Sequence, residues 1–331
     1  MTLDVSPVDI LRWVDALEGR RIVVLGDVML DRYLWGRVER ISPEAPVPIV
    51  EVERESHSLG GAANVAHNLV ALGGVPRLVS VIGEDAAGQR LRAELAVRGI
   101  ETLELVTDSE RRTTVKTRIV AHQQHVVRAD EEDRVPVRGA PLRQILEHLE
   151  RLLVDADALV VSDYGKGVVE PEVLVPAMAR ALELGLTVSV DPKENHFPLY
   201  KGATVITPNL YEAGLAVGNR IRDEASLLAA GRELRERLHL ECALITRGAD
   251  GMSLFLRDGR HVHLPTVARE VYDVTGAGDT VVAVVGQALA AGADLITAAS
   301  LANHAAGEVI RHTGTAVVEP EALRLSLAGS P

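Results

Sequence analysis

A short apolar run rich in β-branched residues, followed by a stretch with helical spacing, recurs along this chain and limits its fold more than any other feature. Arg21 to Gly26 is such a run, ending in Gly26-Asp27, and Gly61 to Leu72 carries helical spacing before stopping at Gly73-Gly74. Leu78 to Ile82 precedes Ala86 to Arg98, Ala158 to Ser162 precedes Pro171 to Leu184, and Leu186 to Asp191 precedes the apolar Ala203 to Thr207. Strands joined through helices cross over and lie parallel, so the expected class is α/β: a mostly parallel sheet flanked by helices on both faces. With 331 residues, 47% of them hydrophobic, the chain can bury a core of that size.

Two stretches break the rhythm. Tyr33 to Glu55 contains Pro43, Pro46 and Pro48, and Thr113 to Asp130 alternates like exposed strands. They read as a small β lid, about 33–55 and 113–130, inserted into a single domain of residues 1–331; long surface loops would give a similar pattern. Ala243 to Thr246 and Met252 to Leu256 add further β segments, while Pro136 to Pro141 reads as a polar turn.

Charge and composition exclude several partners. A formal net charge of −12 argues against a nucleic-acid surface, and an anionic substrate would need a local cluster of Arg or Lys. Asp4, Asp9, Arg12, Asp15 and Glu18 interrupt the start of the chain, unlike a secretory signal, and charged residues or glycine break every candidate membrane span. A cytoplasmic protein without membrane or nucleic-acid partners is therefore expected. Cys242, the single cysteine, precedes Ala243-Leu244-Ile245 and reads as a buried thiol.

The strongest chemical signal is Asp273-Val274-Thr275-Gly276-Ala277-Gly278-Asp279-Thr280, ahead of the small apolar run Val281 to Ala291. Glycines at a helix start let backbone N–H groups converge on an anion, where the helix dipole helps. Asp279 then falls in the first turn, within reach of a hydroxyl attacking a phosphoryl group, although an aspartate there can simply cap the helix.

Together with Gly60-Gly61-Ala62-Ala63-Asn64-Val65-Ala66, that motif resembles the ribokinase/PfkB family of carbohydrate kinases, over essentially residues 20 to 320. The resemblance implies a ribokinase-like fold, Asp279 as catalytic base, and Gly276, Ala277 and Gly278 as an anion hole, with Asp273 and Thr275 beside the nucleotide. Gly26-Asp27-Val28-Met29-Leu30-Asp31-Arg32-Tyr33, Ile41 to Pro48, Ser162 to Gly167 and Val271-Tyr272-Asp273 look most like the heptose-7-phosphate kinases of that family. That likeness implies ATP-dependent phosphorylation of D-glycero-β-D-manno-heptose 7-phosphate at O1, for ADP-heptose and lipopolysaccharide core synthesis. Another sugar kinase of the family, acting on ribose or a fructose phosphate, and a non-catalytic sugar-sensing module remain alternatives.

The remaining candidates follow from position. Asp27 and Asp31, beyond the first strand, could hold sugar hydroxyls, with Gly60, Gly61 and Asn64 as a second edge. Lys116 and Arg118 share a strand face and, with Arg128, could meet a substrate phosphate; Gln123 and Gln124 look like family substrate contacts. Lys166 and Lys193 follow strands where open sheets place ligands, and either could neutralise nucleotide phosphate. Asn209 and Glu212 match the family's Asn-x-x-Glu segment, implying Mg²⁺ bound through water. Thr246, Arg247 and Gly248 are expected at the nucleotide phosphates and Asn303 near adenine. The family pattern also allows a monovalent cation and implies a lid-to-lid homodimer, with Trp35, Val47, Ile49 and Val50 as its apolar contact.

Overall fold

Runs such as Ile22 to Gly26 and Ala158 to Ser162 are buried at every position and almost wholly apolar, the pattern of strands covered on both faces. In the computed structural model, which describes residues 7–122, 124–268 and 271–329, they lie at the centre of the larger of two sheets. The chain opens with helix α1 (Pro7–Ala16), then strands β1 (Arg21–Gly26), β2 (Val28–Ile41) and β3 (Pro48–Gly61), then α2 (Ala62–Ala71) and β4 (Val75–Gly83). There follow α3 (Ala86–Val97), β5 (Leu105–Asp108), β6 (Val115–Ala121), β7 (Gln124–Glu131), α4 (Gly139–Leu153), β8 (Ala158–Ser162), α5 (Pro171–Glu183) and β9 (Thr187–Asp191). The last third comprises β10 (Val205–Ile206), α6 (Leu210–Ala216), α7 (Glu224–Arg237), β11 (Cys242–Thr246), β12 (Met252–Leu256), β13 (His261–Leu264), α8 (Ala277–Ala290), α9 (Leu295–Val309) and α10 (Pro320–Ala328).

The larger sheet has the order β13-β12-β11-β10-β9-β8-β1-β4-β5. From β11 to β5 every pairing is parallel, and the two pairings made by β12 are antiparallel. Apolar clusters cover both faces: α4, α5 and α7 contribute Leu149, Leu174 and Leu234 to one, and α2 and α8 contribute Leu69 and Val282 to another. The carboxyl ends of β1, β8 and β9 deliver Asp27, Asp163 and Asp191 to the rim where open parallel sheets carry their ligands.

The second sheet has the order β3-β2-β6-β7. It is larger than the sequence pattern suggested, since β2 already begins at Val28 and β3 runs on to Gly61. Val28 to Leu30 and Leu59 to Gly61 are buried, so these ends lack the exposed alternation that marks the rest. Helix α4 starts inside the segment read as a turn. Pro141 lies in its first turn, where a missing N–H breaks no helical bond. The β10 segment shrinks to two residues, and Cys242 is buried, with burial pushing its thiol up to about 12.

Candidate active site

Gly276 caps α8 with a left-handed φ of 82°, and a Cβ there would stand 2.7 Å from Asn64 Nδ2, so only glycine enters the helix this way. Ala277, Gly278 and Asp279 are its first helical residues, at the positive end of its dipole; the Ala277 N–H donates to the Val274 carbonyl at 3.2 Å, and those of Gly278 and Asp279 have no acceptor within the helix. A Cβ on Gly278 would meet nothing within 4 Å. Packing does not ask for glycine at that position; the bare backbone preserves open space over the N–H groups, which is what an incoming anion needs.

Asp279 is 3% exposed, and each of its oxygens receives a hydrogen bond. Asn64 Nδ2 donates to Oδ2 at 2.8 Å and the Tyr164 hydroxyl donates to Oδ1 at 2.8 Å. Asn64 is steadied by Asn68, whose Nδ2 donates to the Asn64 carbonyl at 2.9 Å, while the Thr280 hydroxyl donates to Asn68 Oδ1 at 2.9 Å. This buried polar ladder fixes α2 against α8 and the carboxylate with them. Burial pushes Asp279 up to about 6 against the two hydrogen bonds; Asp31 adds to the rise and Lys116 opposes it. Such a group is ionised at neutral pH yet takes a proton more readily than an ordinary aspartate.

The sugar-side candidates divide. Asp31 is buried and ion-paired to Arg118 at 2.5 Å, and a Cβ on Gly60 would stand 2.8 Å from Asp31 Oδ2. Arg118, expected on a substrate phosphate, is thus committed to Asp31, with its guanidinium over the Tyr33 ring. Lys116 lies with its ammonium 5.4 Å from the Tyr164 ring centroid, and burial holds its pKa below the usual lysine value. Lys166, expected at the nucleotide phosphate, stands close enough to Lys116 to lower its pKa, and its ammonium pairs with Glu132 at 2.5 Å. Arg128 is exposed on β7 and held by Asp130 at 2.9 and 3.0 Å. Gln124 is not brought to Asp279 within the chain. It pairs with Ala121 at the tip of the β6–β7 hairpin, about 17 Å along the strand from Lys116. Gln123 lies outside the described residues.

Asp27, expected to hold sugar hydroxyls, instead anchors the loop after β8. Its Oδ2 accepts the N–H groups of Tyr164 and Lys166 at 3.0 Å, and its Oδ1 accepts that of Val168 at 3.1 Å. Burial and the neighbouring Asp163 push it up to about 6 despite these bonds. Gly61, the residue before α2, packs beside it, with its φ of 58° and the Ala62 N–H donating to the Asp27 carbonyl at 3.0 Å.

On the other side, Asn209 and Glu212 form the capping box of α6. Asn209 Oδ1 accepts from the Tyr211 and Glu212 N–H groups at 2.9 and 3.0 Å, and Glu212 Oε2 accepts from the Asn209 N–H at 2.9 Å. Thr246 bridges to Asn209, and Lys193, paired with Glu194 at 2.8 Å, lies close enough to Glu212 to lower its pKa against the larger raising effect of burial. Asp191 is pushed well above the carboxylate range by burial and by Asp279, Glu212 and Asp163, while the hydrogen bond it accepts from Thr207 Oγ1 is 3.4 Å long. Oxygen donors of like charge with weak compensation suit a hard divalent cation. Among the described residues no three His, Cys, Asp or Glu side chains converge to hold an ion directly.

Other nucleotide-side candidates are tied down. Arg247 reaches Ser253 at 3.2 Å and Glu224 at 3.3 Å, so its guanidinium ties β12 to α7. Gly248 opens the following turn with a φ of 58°. Asp273 accepts from the Thr275 N–H and hydroxyl at 2.9 and 2.7 Å and from the Gly314 N–H at 2.9 Å, shaping the turn that enters α8. Asn303 donates to the Pro265 carbonyl at 2.7 Å, fixing the segment after β13.

Residues 20–322 match the family described as pfkB family carbohydrate kinase. The chain belongs to that family. The bifunctional protein HldE of Paramagnetospirillum magneticum is 46% identical over 314 residues, 95% of this chain and 64% of the relative. HldE of Geobacter metallireducens is 49% identical over 298 residues, 90% of this chain and 61% of the relative. The kinase thus spans a little under two thirds of the length of these curated relatives. Arabidopsis thaliana ribokinase complexed with ribose and ATP matches with a TM-score of 0.75 at 16% identity, covering 95% of this chain and 100% of that one. Escherichia coli phosphofructokinase-2 in complex with substrates and products matches at 0.77 and 18% identity, covering 93% and 98%. These two likenesses show the fold alone: the kinase is ribokinase-like, with a second small sheet.

The geometry also gathers residues that motif reading passed over. Tyr164 and Asp191 touch or face Asp279, and Asp163 accepts from the Tyr200 hydroxyl and pairs with His196, both at 2.7 Å. All follow apolar strands directly. The rule that singled out Asp27 after β1 would have found them after β8 and β9.

Proposed function

We propose that this kinase transfers the γ-phosphate of ATP to the C1 hydroxyl of D-glycero-β-D-manno-heptose 7-phosphate, giving the 1,7-bisphosphate and ADP on the way to ADP-heptose and lipopolysaccharide core. The transfer is supported by one arrangement: a buried, two-point-held Asp279 in the first turn of a helix whose N–H groups stand open at Gly278. The N–H groups steady the γ-phosphate while sugar O1 attacks phosphorus in line, its proton passes to Asp279, and the bond to the bridging oxygen of ADP breaks. Asn209, Glu212 and Asp191 would hold Mg²⁺ partly through water, and that ion, when bound, neutralises charge on the β- and γ-phosphate oxygens. The heptose assignment rests on the segments Gly26 to Tyr33, Ile41 to Pro48, Ser162 to Gly167 and Val271 to Asp273.

The deciding experiment is a panel of sugars and sugar phosphates with ATP–Mg²⁺, following ADP release and locating the new phosphate by ³¹P NMR, repeated with and without K⁺. Heptose 7-phosphate should be preferred and phosphorylated at O1; a preference for ribose or a fructose phosphate would overturn the assignment. In the same panel Lys116→Ala should raise KM for the phosphorylated sugar about tenfold or more through loss of a charge-assisted contact. Equal KM values for mutant and parent would remove Lys116 from the phosphate site.

A further inference from the structure

We propose that Tyr164 is a positioning residue for the phosphoryl transfer: its hydroxyl fixes the plane of the Asp279 carboxylate and keeps it charged until the sugar hydroxyl releases its proton. The inference rests on Asp279 being the base. Tyr164 is held at both ends, by its backbone N–H on Asp27 at 3.0 Å and by its hydroxyl on Asp279 Oδ1 at 2.8 Å. Asn64 holds the other oxygen from the opposite side, so rotation about the Asp279 side chain would break one of two buried hydrogen bonds. A carboxylate clamped in this way keeps one free lone-pair direction on each oxygen, aimed before the substrate arrives.

The two clamps differ in chemistry. Asn64 lies within the α2–α8 ladder and moves only with those helices, whereas Tyr164 sits on a loop joined to both sheets. The Lys116 ammonium of the second sheet stands 5.4 Å from its ring centroid, a cation–π distance. Burial first, and then Asp279 itself, push the phenol well above its usual range, so the hydroxyl stays a donor and does not compete for the proton. The charged and titratable groups facing Asp279 are Asp31 from β2, Lys116 from β6, Tyr164 from the loop after β8 and Asp191 from the end of β9. Among them Tyr164 gives the direct hydrogen bond, so its removal should destabilise the ionised base more than any change in packing does.

The test uses the whole chain and three variants. Tyr164→Phe should fold with little change in melting temperature, lower kcat about tenfold, leave KM for sugar within about threefold, and move the acidic limb of kcat/KM upward by about one pH unit. Replacing Tyr164 by 3,5-difluorotyrosine, a stronger donor of the same shape, should move that limb downward. A Tyr164→Phe enzyme with reduced kcat and an unmoved acidic limb would show a merely structural role and overturn the proposal, as would limbs moving the same way in both variants. Asp279→Asn separates the two claims: substantial turnover there sinks the base assignment itself, whereas an inactive Asp279→Asn beside an unmoved Tyr164→Phe profile sinks only the role of Tyr164.

Discussion

Asp279 carries two consequences of opposite sign. As a base it must be ionised, so with its carboxyl near 6, kcat/KM should fall about tenfold per pH unit below that value and flatten above it, a profile checked by initial rates between pH 5 and 8. Asp279→Asn should lose about 10²–10⁴-fold in kcat while keeping its melting transition. For stability the sign reverses. Asp27 and Asp279 both sit above their ordinary 3.8, so what they contribute to folding is fully present below that pH and is lost as pH rises through about 6. On the proposed role of Asp279, that cost is what keeps a base ready near neutral pH. The Gly-Ala-Gly-Asp turn made the glycine-capped start of α8, with Asp279 in its first turn, legible in the sequence, because residue type and spacing together define such a helix entry. The fate of Asp27 and Arg118 was not legible: whether a carboxylate meets sugar, backbone or guanidinium depends on which loop folds over it, and the partners of Asp27 lie 137 to 141 residues away.

At the scale of elements, the start of α8 is a construction with one position left bare. Gly278→Ala adds a methyl that meets no protein atom, so the fold should keep its stability, with a gain of up to about 1 kcal/mol from helix propensity. The same methyl enters the space over the N–H groups, so KM for ATP should rise and kcat fall. Thermal melting set against steady-state kinetics checks both, and an unchanged kcat/KM for ATP would place the nucleotide elsewhere. The loop after β8 depends on one side chain in a different way. Asp27→Ala leaves the N–H groups of Tyr164, Lys166 and Val168 without their acceptor, and should lower stability by at least about 2 kcal/mol in denaturant titrations and reduce turnover as well. The parallel core strands could be read from sequence because continuous burial writes continuous apolar runs. Helices α4 and α7 could not: each has a largely exposed, charged face, and α4 hides its start behind Pro141.

For the whole molecule, the second sheet leaves Ile41, Val52 and Val127 on its strands, and Val47 in the β2–β3 connection, half exposed or more. We expect that surface to pair with a second copy, as the resemblance implied, although Trp35 is taken up by stacking on Tyr33 at 5.5 Å and by Arg54 above it. Sedimentation at working concentration should show a dimer, and Val47→Lys with Val52→Lys should dissociate it; a parent that sediments as a monomer removes the idea. The two sheets are joined in a way that bears on how such a molecule works. β1 ends at Gly26 and β2 begins at Val28, so the connection is Asp27 alone. This one-residue link between the sheets also grips the loop carrying Tyr164, whose hydroxyl in turn donates to Asp279. A displacement of the outer sheet would find no slack chain at this joint to absorb it, and would be passed through one carboxylate and one phenol to the orientation of Asp279.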